Sequence, residues 1–238
     1  MARESYQESL AKLREDVLFM SEVVLERLRA GLDALEEKDE ELAREVIEGD
    51  EEVNEMNLEL EGDCIDLLAL QQPVAGDLRL VAASFKILTD LERVADLATN
   101  LGDYTLDAHH DRFPDVDVQS IGQAVAEMLE DAMDAYAESD VETCYEVAAR
   151  DDEVDVMCER ATDAVVRELI ETELEGETEL ERETELDGET SDADVERLMQ
   201  DVSRLLLTVR DLERVGDHAV NVAARTLYMV ENDPSLLE

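Results

Sequence analysis

Tryptophan is absent from this chain, and aromatic residues make up only 3% of it. Proline and glycine, the residues that most often interrupt helices, occur three and nine times in 238 residues. Alanine, leucine, valine and glutamate are abundant instead. Because these residues favour helix and breakers are few, the composition predicts long helices.

Basic residues are also scarce. The chain holds 20 of them against 66 acidic residues, which gives a formal charge of −46. This charge excludes a nucleic-acid partner, because no basic stripe is present to contact phosphates. It indicates adaptation to a salt-rich cytoplasm, where ions screen repulsion between surface carboxylates. A disordered acidic chain is the alternative, and the regular apolar spacing described below disfavours it.

Cysteine pairs and long apolar runs are missing as well. Cys64, Cys144 and Cys158 stand singly within helical patterns, with no C-x-x-C pair, so a structural zinc site is not expected. Buried free thiols in a reducing cytosol fit better. No stretch approaches 18 apolar residues, and the N-terminal segment has no apolar signal-like region, so we expect a cytoplasmic protein that does not span a membrane.

Apolar residues recur every three or four positions, which predicts an all-α fold. Three such runs, at about 6–35, 42–67 and 78–104, precede the segment HHDRFPD at 109–115. Three more follow it, from about 117, from about 141 to 170, and from about 192 to 230. We therefore predict two tandem three-helix bundles, formed by residues 1–112 and 113–238.

The two halves are related by an internal repeat. Asp90-Leu91-Glu92-Arg93-Val94 recurs as Asp211-Leu212-Glu213-Arg214-Val215, an offset of 121 from position 90 to position 211. A weaker match joins 49–56 to 150–157 at an offset of 101. The difference implies an insertion of about 20 residues, which we place at 171–191. That segment holds ten acidic residues and one arginine, and predicts a solvated loop; a strand is the alternative.

Acidic stripes in each repeat are the candidate functional site. Residues spaced by four lie on one oblique stripe of a helix. Two such stripes should face each other in each repeat, and oxygen-rich clusters of this kind bind hard cations. The alternative is a solvated face balanced by Arg93, Arg214 and counterions. His218, next to Asp217, is expected to be a core or interface histidine rather than a ligand. The candidate metal residues are Asp50, Asn54, Glu92, Asp96 and Asn100 in the first repeat, and Asp151, Asp155, Glu213, Asp217 and Asn221 in the second.

The strings DLERVGDHAVNVA at 211–223 and QQPVAGDLR at 71–79 resemble the PhoU family of phosphate-transport regulators. The resemblance covers the chain apart from the acidic insertion. It implies two three-helix bundles with metal clusters held by E(D)-x-x-x-D motifs, and these motifs map onto the stripe residues above. Asn54 departs from the pattern, because the motif prefers a carboxylate there. The resemblance also implies control of a phosphate ABC transporter, and often an intermediary role toward a phosphate-sensing kinase.

We therefore expect a non-catalytic regulator of phosphate uptake. It would dock on the ATPase subunit of the transporter or on a sensor kinase, form a homodimer, and bind a divalent or ferric ion (iron, zinc, manganese or magnesium). A PhoU-like accessory of another ion transporter or kinase is the alternative. A di-iron enzyme would need Glu-x-x-His motifs in its helices, and a metal-dependent hydrolase a nucleophile and base; the sequence offers neither. A purely structural helical scaffold that binds no metal is a further alternative.

Overall fold

The computed structural model describes residues 2–70, 74–107, 116–182 and 192–237. Every regular element in these ranges is an α-helix, which confirms the all-α prediction. The seven helices are α1 (Ala2–Glu37), α2 (Glu40–Glu48), α3 (Asp50–Leu70), α4 (Ala75–Leu106), α5 (Val118–Glu138), α6 (Val141–Arg182) and α7 (Asp192–Glu231). Helices α1 to α4 form the first bundle and α5 to α7 the second.

Short polar side chains start several of the helices. Asp39 accepts hydrogen bonds from the backbone N–H groups of Glu41 and Leu42, at 2.9 and 3.1 Å, and so caps α2. Asp117 accepts one from the N–H of Ser120 at the start of α5. These contacts satisfy donors that have no partner within the first turn of a helix.

The second helix of the first bundle is divided, although the apolar pattern predicted one run through 42–67. The division falls at Gly49, where α2 ends and α3 begins. A Cβ added at Gly49 would overlap Nη1 of Arg27, so a side chain at this position would require the guanidinium to move. Arg27 then pairs with Glu52 at 2.5 Å. The apolar spacing does not report this break, because Val46 and Val53 are seven residues apart, as they would be in one continuous helix.

Helix α6 is longer than the sequence predicted. It continues to Arg182, so the prediction of a loop was wrong for residues 171–182. Glutamate and leucine, which dominate this stretch, both have high helix propensity, and that preference prevails although the six-residue repeat matches no helical period. Residues 183–191 of the predicted loop lie outside the described residues.

The two bundles share one hydrophobic core. Helices α1 and α4 pack against α5 and α7, and a single connected cluster of buried side chains runs through both bundles. Helices α3 and α6 lie at the two outer sides, where each packs on its own bundle. The predicted boundary between residues 112 and 113 falls outside the described residues, between α4 and α5.

Two expectations about composition can be compared with the structure. All three cysteines are buried and free, as expected. Burial raises the pKa of each thiol, to about 12 at Cys64 and Cys158 and about 11 at Cys144, so they behave as small apolar groups. Among the described helices, none has a long enough apolar stretch to cross a membrane.

Candidate functional site

Helices α6 and α7 run antiparallel and bring the second acidic stripes together. Two contacts define their register: Cys158 Sγ lies 3.9 Å from the Val209 carbonyl, and Asp151 Oδ1 would lie 3.4 Å from a Cβ placed on Gly216. Residue numbers therefore increase along α6 while those of the neighbouring residues on α7 decrease. The second contact places Asp151 beside the α7 backbone at Gly216.

We call Asp151, Asp155, Glu213 and Asp217 the second cluster. Burial, together with the charges of Asp155 and Asp217, raises the pKa of Asp151 to about 6. Partial burial also raises the pKa of Glu213 and Asp217. The charge of Asp155 adds to both, while His218 opposes the rise at Asp217. These four carboxylates therefore act on one another, as the sequence predicted, and their negative charge is not fully balanced.

We call Asp50, Asn54, Glu92 and Asp96 the first cluster. Asn54 Nδ2 donates to Asp50 Oδ2 at 2.7 Å, so the asparagine takes the place of a carboxylate and removes one charge. Burial raises the pKa of Glu92, and the charge of Asp96 adds to this, while Arg93 opposes it. Arg93 lies 3.6 Å from Glu92 and 3.4 Å from Asp96. The first cluster is thus better balanced than the second.

Glu61 is a residue that the sequence reasoning missed. Its charge also raises the pKa of Glu92, which places it on the same side of α3 as Asp50. Glu61 follows Asp50 by eleven residues, or about three helical turns, so this spacing could have revealed it.

Asn100 and Asn221, the last residues of the predicted stripes, lie elsewhere. Asn100 Nδ2 donates to Asp211 Oδ2 at 3.0 Å, and Asn221 Nδ2 donates to Asp90 Oδ1 at 3.2 Å. Each bond joins α4 to α7, across the interface between the bundles. We call these two bonds the Asp–Asn pairs.

Each aspartate of the Asp–Asn pairs has a further partner on the opposite bundle. Tyr104 donates its hydroxyl to Asp211 at 2.8 Å, and His218 Nδ1 lies 2.9 Å from Asp90 Oδ1. His218 is thus an interface histidine, as expected. Asp90 and Asp211 were not predicted as site residues, although the repeated DLERV string contains both.

Both clusters fit a hard cation in their donor chemistry. Their donors are carboxylate and amide oxygens, which such ions prefer. Asp50 Oδ1 is buried without a hydrogen-bond partner within the described part of the chain. Among those same residues, no three carboxylate, imidazole or thiol groups already converge on one point. Asp155, Glu213 and Asp217 are exposed, so their side chains are free to rotate toward an ion.

Comparisons with known proteins agree with this architecture. The family model described as the PhoU domain matches the chain twice, at residues 17–105 and 118–226. The phosphate-specific transport system accessory protein PhoU homolog of Clostridium acetobutylicum is 30% identical over 233 residues, covering 97% of this chain and 96% of that protein. The PhoU accessory protein of Escherichia coli K12 is 28% identical over 224 residues, which cover 93% and 83%.

Solved structures give the same result. The crystal structure of PhoU from Pseudomonas aeruginosa superposes with a TM-score of 0.82 at 28% identity, covering 96% of this chain and all of that one. The phosphate transport system regulatory protein PhoU from Streptococcus pneumoniae, at 22% identity, shares the fold with a TM-score of 0.78. Since the family model matches both bundles and the Clostridium acetobutylicum relative aligns over 96% of its length, this chain belongs to the PhoU family.

Proposed function

We propose that this protein is a non-catalytic, cytoplasmic regulator that restrains phosphate uptake when phosphate is plentiful. The main support is that relatives aligned over nearly the whole chain are named accessory proteins of the phosphate-specific transport system. In this proposal the protein docks on a phosphate ABC transporter at its ATPase subunit, or acts on a phosphate-responsive sensor kinase, or does both.

The acidic clusters are the proposed ion-binding part of this regulator. Asp151, Asp155, Glu213 and Asp217 would hold a divalent or ferric ion in the second bundle. Asp50, Asn54, Glu92 and Asp96 would hold one in the first. A bound ion would neutralise the repulsion that raises the pKa of Asp151. Ion occupancy would then change the charge of the surface presented to a partner, which links it to docking affinity.

A PhoU-like accessory of another ion transporter or kinase is the second candidate. Its basis is that membership of the family does not by itself fix which transporter or kinase is the partner. The two candidates share the fold and the clusters. They differ in which ion flux changes when the protein is removed.

Deleting the gene separates the two candidates. In phosphate-rich medium we expect higher phosphate uptake and raised expression of phosphate-starvation genes, both restored by a plasmid copy. If neither changes, the phosphate assignment is wrong, while the fold and the ion-binding proposal are unaffected. The proposed homodimer is tested separately, by light scattering of the purified protein in molar KCl; a mass of one chain at all concentrations contradicts it.

A further inference from the structure

Large apolar side chains are exposed at equivalent positions of the two repeats. Ile65 on α3 corresponds to Val166 on α6, at the offset of 101, and their exposures are 56% and 43%. Leu78 on α4 corresponds to Met199 on α7, at the offset of 121, and their exposures are 46% and 47%. Single exposed apolar residues are ordinary, whereas here the same two positions are exposed in both halves of a strongly acidic protein.

These apolar residues share a helix face with the acidic clusters. In the first bundle, Leu78, Phe85 and Glu92 follow one another at intervals of seven, so they form one stripe along α4. In the second bundle, the same intervals on α7 connect Met199, Leu206 and Glu213. Phe85 and Leu206 are both half-buried against the core. Each stripe therefore runs from an exposed apolar end to an acidic end.

The neighbouring helix carries a matching stripe in each bundle. Ile65 follows Asn54 by eleven residues, and Val166 follows Asp155 by eleven. Eleven residues rotate a helix by about 20° more than three full turns. Each apolar residue therefore lies on nearly the same side of its helix as its cluster residue, three turns further along. The contacts that align α6 with α7 place position 166 level with position 201, about half a turn from Met199. We call the surface between these stripes, α3 with α4 and α6 with α7, the groove of each bundle.

The charge of the grooves selects the kind of partner. Their acidic ends hold Glu92 with Asp96 in the first bundle and Glu213 with Asp217 in the second, and the whole chain carries a net charge of −46. A second copy of this chain would bring the same charge to the groove. A helix with lysine or arginine at one end of its face and apolar residues at the other would instead complement both ends.

The two grooves are related by an approximate twofold axis. The Asp–Asn pairs are reciprocal: Asp90 contacts Asn221, and Asp211 contacts Asn100. A twofold axis that passes between Ala95 on α4 and Gly216 on α7 exchanges the two pairs. Asp90 and Asn100 each lie five positions from Ala95, and Asp211 and Asn221 each lie five positions from Gly216. The same axis exchanges the two grooves. A partner that presents two copies of one helix, as a symmetric dimer does, matches this arrangement.

We propose that each groove binds one amphipathic helix with apolar residues at one end and basic residues at the other, so that one chain engages two copies of it. This inference deepens the proposed function by naming the docking surface, and it rests on the proposal that the protein docks on a partner. Leu78 to Glu92 spans about 21 Å along α4, so a helix of about 15 residues fills the groove.

Calorimetry with a synthetic helical peptide tests the proposal. The probe is about 18 residues long, with leucines along one half of a face and arginines along the other half of the same face. A peptide of identical composition in scrambled order is its control. The titration is done on the full chain after metal ions have been removed with a chelator, so that the carboxylates of both grooves are unliganded. It is done in about 1 M KCl, where the Debye length is ~3 Å and non-specific attraction is weak. We expect two bound peptides per chain, and at least tenfold weaker binding of the scrambled peptide.

Variants of the full chain identify the surface. Leu78→Ser should lower the stoichiometry from two peptides to one, and Leu78→Ser with Met199→Ser should abolish binding. Phe19→Ser changes an apolar side chain of α1 that is 59% exposed and lies outside both grooves, so it should keep two sites. Glu92→Gln with Glu213→Gln should weaken binding, whereas Glu36→Gln with Glu138→Gln, on exposed acids elsewhere, should not.

Three results would overturn the proposal: equal binding of the scrambled peptide, two intact sites in the Leu78 and Met199 variants, or self-association of the unaltered chain that these variants remove. The last result would make the grooves an interface between copies of this chain. The gene-deletion experiment is independent. If phosphate uptake is unchanged while the peptide binds as expected, the proposal that the grooves bind a helix is upheld and the phosphate assignment is wrong.

Discussion

Asn221 of the second bundle donates a hydrogen bond to Asp90 of the first, and the equivalent Asn100 donates one to Asp211 in return. Both bonds cross the interface between α4 and α7. The repeated string D-L-E-R-V-x-D-x-x-x-N therefore has two structural roles. Its middle carboxylates form the acidic clusters, while its first aspartate and last asparagine join the bundles.

The Asp–Asn pairs should contribute to stability, and unequally. Asp211 is only 7% exposed in its side chain and also accepts from Tyr104. Asn100→Asp, which places a second carboxylate beside it, should lower the free energy of unfolding by about 2 kcal/mol, and Asn221→Asp by about 1 kcal/mol. Denaturant titration in 2 M KCl measures both. The exchange Asn100→Asp with Asp211→Asn restores a donor and an acceptor, and should recover at least half of the loss. No recovery means that the pair is not coupled.

The carboxyl of Asp151 should make stability depend on pH. Its pKa is raised from 3.8 to about 6 in the fold, so the folded state favours the protonated form. This contribution is fully present below about pH 4 and is lost as the pH rises through 6. Asp151→Asn should therefore raise the free energy of unfolding at pH 7.5 by about 1 kcal/mol, after allowing for solvent screening, and change it little at pH 4. Asp33→Asn, on an exposed acid of α1, is the control. The same gain at both pH values contradicts the assignment.

The second cluster should bind metal more tightly than the first. Asn54 removes one charge from the first cluster, and Arg93 pairs with Glu92 and Asp96 there. In the second, the equivalent Arg214 pairs with Asp211 instead. Asp217→Asn should lower metal affinity at least about tenfold, and more than Asp96→Asn does. Elemental analysis after dialysis against iron, zinc, manganese or magnesium compares the variants. Equal losses, or none, count against this ranking.

Two helical glycines should respond oppositely to alanine. A Cβ at Gly102 would lie 2.9 Å from Ile47 Cγ1 and 3.0 Å from the Ala43 carbonyl, so Gly102→Ala should cost about 1–3 kcal/mol by pushing α2 and α4 apart. At Gly62 no other atom lies within 4 Å of the added Cβ, so Gly62→Ala should stabilise by about 0.5–1 kcal/mol. Thermal unfolding measures both effects. The melting temperature should be lower than that of the unaltered chain for Gly102→Ala and higher for Gly62→Ala.

Salt should stabilise the fold. With a formal charge of −46, repulsion between surface carboxylates is strongest in dilute buffer and is screened in molar salt. The melting temperature should therefore rise between about 0.1 and 2 M KCl, over which the Debye length falls from ~10 Å to under ~3 Å. A melting temperature that stays level over this range contradicts adaptation to high salt.

The sequence alone predicted much of the fold and the carboxylates of the candidate site in the second bundle. Apolar spacing located the helices, because a buried stripe must recur every three or four residues. The DLERV repeat identified the duplication and placed Glu213 and Asp217 on one stripe, because four residues advance a helix by little more than one turn. The second stripe of that bundle, at Asp151 and Asp155, was found in the same way.

Tertiary contacts decided what local patterns could not show. Two cases are the position of Glu61 near Glu92 and the role of the asparagines. Asn100 lies two steps of 40° around α4 from Glu92, so it turns away from α3 and toward α7. Helical spacing alone placed Asn100 with the carboxylates. Only the antiparallel packing of α4 on α7 shows that its partner is Asp211, because that partner is 111 residues away in the chain and is brought near by the fold.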